Sequence, residues 1–238
     1  MTCFNIPTAI KRLLLTLPLL LLTACASYTE QRAETALLQA LPKLVGPAES
    51  YTAKVQGASS DGTRFEQVQA TGVRVRRPNS PVFERIELRL AGVVLDAATK
   101  RVTAVGDARV SLRLKVNDIA AFLGASEWID QPAIRVSAPD KIFISGRMKI
   151  GGMALGAASA ADLEGRLQAK DAQLRLAIDA LGWRGQAAPA LVRALVEQAV
   201  NPILNVAQSP LPTRIDSAVV EGDVIIITAS GSNLLLVK

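Results

Sequence analysis

The chain has 238 residues, half of them apolar, with 27 Lys plus Arg against 21 Asp plus Glu and no histidine. That composition suits one globular domain with a sizeable core. Without histidine the chain cannot build a Ser-His-Asp triad, a Cys-His pair, a His-rich zinc site or a histidine pH switch, and its nine scattered aromatics are too few to stack the bases of single-stranded nucleic acid.

The N-terminus carries the most specific signal. Lys11 and Arg12 form a positive segment, Leu13 to Leu22 is apolar except for Thr16, with a Pro at 18, and small residues Thr23 and Ala24 follow. This pattern predicts an export signal. Ten residues make about 15 Å of helix, half a hydrocarbon core, so the stretch is too short for an ordinary membrane span. Leu22-Thr23-Ala24-Cys25 resembles the bacterial lipobox. That resemblance implies cleavage before Cys25, lipidation of Cys25, and stable membrane anchoring through more than one acyl chain. The expected layout is a signal peptide over 1–24, a lipidated N-terminus and helix over 25–46, and an α+β domain over 47–238. Ala26, in place of an aspartate, favours the outer membrane facing the periplasm if the organism has two membranes. With Cys3 in the leader and Cys25 acylated, no thiol is left for a disulfide, and the fold must rest on its core alone.

From Tyr28 to Val45, Ala33, Leu37, Leu41 and Leu44 recur at spacings of three and four, which predicts an N-terminal helix that Pro42 kinks or shortens. Gly46-Pro47 marks a break. Ile86, Leu88 and Leu90 then alternate with Arg85, Glu87 and Arg89, and Val110, Leu112, Leu114 and Val116 with Arg109, Ser111, Arg113 and Lys115. Both read as half-buried antiparallel strands, with Asp96–Lys100 and Gly106-Asp107 as the turns around a short strand between them. Asn117 and Asp118 cap a short helix that Gly124 ends. Further strands are expected at 133–136, 141–145, 147–150, 163–169 and 173–178, with Pro139-Asp140 and Gly151-Gly152 as turns. A helix over 189–204 carries two adjacent apolar rows, Leu191, Leu195, Ala199, Ile203 and Val192, Val196, Val200, Leu204. A hairpin of 214–220 and 224–228 closes the chain.

The N-terminal helix, the strand ending Ala91-Gly92-Val93-Val94-Leu95-Asp96, the segment Val116-Asn117-Asp118-Ile119-Ala120-Ala121-Phe122-Leu123, and the late helix before Leu211-Pro212 and a final hairpin together resemble the LmeA-like phospholipid-binding family. The resemblance implies a strongly curved antiparallel β-sheet wrapped around a long apolar helix, with a further N-terminal helix and an apolar groove for acyl chains. The groove candidates are then Leu191, Val192, Leu195 and Val196 on the late helix and Ile86, Leu88, Leu90, Leu112 and Leu114 on the strands. Ordinary core packing is the competing reading of each. Arg74 and Arg76, alternating with Val73 and Val75, are candidates for a lipid headgroup or a membrane surface, against the simpler reading of a solvated face.

No P-loop, dinucleotide fingerprint, GxSxG or SxxK occurs, and no carboxylate cluster suggests a metal cage. No catalytic residue, metal or cofactor is expected. The sequence therefore points to a membrane-anchored envelope lipoprotein that binds phospholipid, with an assembly lipoprotein using the same fold to bind protein as the alternative.

Overall fold

The computed structural model describes residues 30–150, 153–154, 160–207 and 209–236. The segment expected to be a signal peptide, Cys25 and the turn expected at Gly151-Gly152 lie outside the described residues. Helix α1 spans 30–44, and its row of Ala33, Leu37, Ala40, Leu41 and Leu44 is buried. Pro42 stands in its last turn, where the amides of Val45 and Gly46 donate to Leu41 and Pro42 and close the helix.

Six strands form the first sheet: β1 (Ser50–Ala58), β2 (Arg64–Val75), β3 (Phe83–Asp96), β4 (Arg101–Lys115), β12 (Arg214–Glu221) and β13 (Val224–Leu235). Their order is β1-β2-β3-β4-β13-β12, antiparallel throughout. Helix α2 (Val116–Gly124) follows β4 directly. A second antiparallel sheet holds β5 (Ile129–Ser137), β6 (Lys141–Ile150), β8 (Ala160–Lys170), β9 (Gln173–Trp183) and β10 (Gln186–Ala187), with the two-residue strands β7 (Met153–Ala154) on β6 and β11 (Leu204–Asn205) on β9. Helix α3 (Ala190–Val200) lies along the stretch of the β9 edge between its pairings with β10 and β11. There the Arg193 guanidinium donates to the Ile178 carbonyl, and the Asn201 amide both accepts from the Leu176 N–H and donates to its carbonyl. These side chains occupy groups a bare sheet edge would leave open to another chain.

The sheets meet at β12, whose Ile215 and Val220 amides donate to the turn carbonyls of Asp171 and Pro139 at one end of the second sheet. Core residues of both sheets form one apolar cluster.

One crease shapes the first sheet. The register places Gly57 opposite Glu66, Glu66 opposite Gly92, Gly92 opposite Gly106, and Gly106 opposite Asn233. Gly57, Gly92 and Asn233, on alternate strands of this line, have φ of 65°, 60° and 51°. On β3 the buried positions run Leu88, Leu90, then Val93, Leu95, and on β4 Val105 gives way to Ala108, Leu112 and Leu114 beyond Gly106, while Val102 is offset from Val105 by a separate register shift opposite Val94 and Leu95. The inward parity thus changes by one residue as each strand crosses the line, and both halves of the sheet face α1. Fourteen residues of β3 would reach about 45 Å if straight. Yet Lys43 donates to Thr99 beyond one end of β3, while Pro47 accepts from Arg76 beside the other.

Two expectations are corrected. Among the described residues the architecture is two antiparallel sheets with three short helices, not one sheet wrapped around a long apolar helix. The late helix has only 11 residues and sits at a sheet edge, while the first sheet packs its core on α1. Gly106-Asp107 is not a turn, because β4 runs unbroken through it and the glycine serves the crease instead.

Candidate functional site

A cleft of about 460 Å³ opens where the C-terminal half of α1, the start of β4, Ala207, residues 209–212 and the end of β13 converge. Ala40 and Leu44 reach it because they share the inward row of α1, and Val102 because it stands on the short arm of β4 that precedes the crease at Gly106. Pro210 and Pro212 hold the opposite wall. The Leu236 amide donates to the Thr103 carbonyl (2.8 Å), fixing the end of β13 beside β4. Leu235 is 79% exposed there, a large apolar side chain left at the mouth. Lys43 and Arg101 also line the cleft, and Lys43 is held by its bond to Thr99 (2.9 Å). An apolar wall with two cations at its edge suits an amphiphile with an anionic head, and the volume falls within the range of small-ligand pockets, about 300–1,000 Å³.

The sequence candidates lie elsewhere. Ile86, Leu88, Leu90, Leu112 and Leu114 are 1–5% exposed and pack in the core. On α3 the two apolar rows part: Val192, Val196 and Val200 pack against the core, while Leu191 and Leu195 are 72% and 49% exposed. Arg74 is engaged by Asp118, its guanidinium 2.6 Å from the carboxylate, and that bond raises the Arg74 pKa further. Arg76 is exposed and its amide ties β2 to Pro47. The structure brings none of these residues into the cleft. Of the cleft residues Leu44 was read from the pattern as part of the apolar row of the N-terminal helix, whereas Ala40, Lys43, Arg101, Val102, Leu235 and Leu236 were not singled out. The available signal was the run Leu234-Leu235-Leu236, which extends the last strand well past Thr228.

Close to the cleft, the Tyr51 hydroxyl donates to the Gly46 carbonyl at the exit of α1. Burial pushes its pKa up to about 12. The unfolded chain releases this proton near 10, so the folded state holds more protons between those values and stability falls as pH rises from about 10 through 12. Tyr51→Phe is expected to flatten this alkaline decline in thermal midpoint. An unchanged decline in the variant would assign it to other groups.

Among the described residues no helix is long and apolar enough to cross a membrane, and no group of three or more potential ligands could hold a metal. The fold and cleft define a β-rich protein built to present an apolar cavity beside basic side chains. The family model for LmeA-like phospholipid-binding proteins matches residues 22–230, nearly the whole chain, and the protein belongs to that family. Comparison with the curated proteins and with the solved structures gave no match.

Proposed function

We propose that this protein is an envelope lipoprotein that binds phospholipid in the cleft between α1 and the end of β13, with acyl carbon against Leu44, Val102, Leu235 and Leu236 and the phosphate near Lys43 and Arg101. The observation that carries the reading is an open apolar cleft edged by two cations in a member of a phospholipid-binding family. Binding rather than catalysis is favoured by the lack of histidine and of any serine-nucleophile motif. A lipidated Cys25 stands five residues before α1, and five extended residues reach at most about 17 Å. The domain then works within reach of the bilayer that holds its anchor.

Two measurements test this. Leu235→Asp places a charge on the cleft wall at a position too exposed to matter to the core, so phospholipid recovered with the purified protein should fall several-fold while the thermal midpoint holds. Undiminished lipid in that variant refutes the cleft assignment. For the anchor, Cys25→Ser should abolish palmitate labelling and leave an unprocessed or soluble product, and persistent labelling refutes lipidation at Cys25.

A further inference from the structure

The face of the first sheet turned away from α1 carries one row unlike its neighbours. The register aligns Lys54, Gln69, Arg89, Arg109, Ser230 and Arg214, one residue from each of the six strands in spatial order. Four cations and two neutral hydrogen-bonding side chains thus cross the whole sheet, a span of about 24 Å, with no acid in the row. Arg89 and Arg109 stand directly opposite each other, an arrangement that repels. Among the described residues no carboxylate forms an ion pair with Lys54, Arg89 or Arg109, whereas Arg214 lies 3.6 Å from Asp216. An open groove of about 920 Å³ runs beside the row, lined by Gln69, Arg89, Arg109, Arg214 and Ser230 among others.

We infer that this row docks the protein on an anionic bilayer surface, its guanidinium groups taking headgroup phosphates. The inference goes beyond the cleft reading and does not depend on it. Two like charges held face to face with no carboxylate in ion-pair contact, although Glu87, Asp107 and Asp216 line the same face, cost stability unless an anion is shared between them, and guanidinium binds phosphate oxygens bidentately. A planar lattice of phosphates supplies many such oxygens at once, while a single soluble anion spans two neighbouring strands at most. Nucleic acid fits poorly, since the adjacent rows, Gln56-Gln67-Ala91-Asp107-Ser232 and Thr52-Thr71-Glu87-Ser111-Thr228, offer no aromatic ring for a base. Strand twist of about 20° per step turns the ends of the row away from any plane tangent to its middle. The central pair therefore carries most of the attraction, and Lys54 and Arg214 carry less.

The test uses the chain from residue 26 onward, which keeps every described element, with vesicles of phosphatidylcholine alone or mixed with phosphatidylglycerol. The wild-type chain should partition onto the mixed vesicles only, and less at high salt. Arg89→Gln with Arg109→Gln should weaken partition roughly thirty-fold, about five-fold for each guanidinium. Arg89→Lys with Arg109→Lys should keep most of it, and Lys54→Gln with Arg214→Gln should lose less than the central pair. Equal binding to both vesicle types, or undiminished binding by the central Gln variant, overturns the proposal. So does binding of tripolyphosphate without binding of vesicles, which would give the row to a soluble anion. Phospholipid recovered with the central Gln variant should match wild type. If no phospholipid is recovered from any form while the mixed vesicles still bind through Arg89 and Arg109, the cleft reading fails and the docking face stands.

Discussion

Leu37→Ala should lower the unfolding free energy by about 2–5 kcal/mol, the usual range for removing a large aliphatic side chain from a packed core. Leu37 is fully buried on the inward row of α1. Its neighbours on the row, Ala33 and Ala40, are too small to fill the space it leaves, and the creased sheet on the other side is held by its own ladder. A rigid surround of this kind relaxes little, which places the cost in the upper half of the range. Gln39→Ala, on the exposed side of the same helix, should stay within about 0.5 kcal/mol. Denaturant unfolding of the two variants checks the contrast. Similar midpoints would mean that α1 is not part of the cooperative core, and the cleft it helps to build would lose its rigid wall.

The inward row of α1 was legible because a helix repeats every 3.6 residues and only one of its faces meets the sheet. The strands over 85–90 and 110–116 were legible for the equivalent reason at period two. The crease was not. Gly106-Asp107 has the composition of a turn, and single-strand patterning cannot show that Gly57, Gly92 and Asn233 will align with it once four ladders have formed. The alternation itself held the clue, since the apolar parity of 86–90 and of 93–95 differ by one residue, which a bend in a continuous strand explains.

The double apolar row of α3 divides in the structure. Its width suggested a face that either packs entirely or opens to ligand, but a helix at a sheet edge can bury only one row, so Val192 and Val196 pack while Leu191 and Leu195 do not. The sheet leucines read correctly as an apolar face, and the structure packs them in the core. Pattern identifies which side of an element is apolar. Whether that side is filled depends on what the rest of the chain lays over it. Here α1 fills the first sheet as far as Leu44, and the cleft begins where the helix ends.

Gly46 sits at that end, and its replacement by alanine should cost roughly 2–5 kcal/mol. Two separate penalties contribute. Its φ of 122° is a conformation that side-chain-bearing residues rarely adopt, and a Cβ there would stand 2.5 Å from the Arg76 carbonyl oxygen. That oxygen belongs to backbone, and the chain leading into it is anchored by the Arg76 amide donating to Pro47 and by the Glu49 amide donating to Val73, so the collision cannot be relieved by a rotamer change. Gly62 separates the two terms. Its φ of 68° is also left-handed, but nothing lies within 4 Å of the position its Cβ would take. Gly62→Ala should therefore carry the conformational penalty alone, about 1 kcal/mol, and the excess for Gly46→Ala measures the collision. Equal losses for the two variants would mean that the chain leaving α1 can shift away from β2. In that case Lys43 and Leu44 would not hold their places at the cleft, and phospholipid recovered with Gly46→Ala should fall together with its stability.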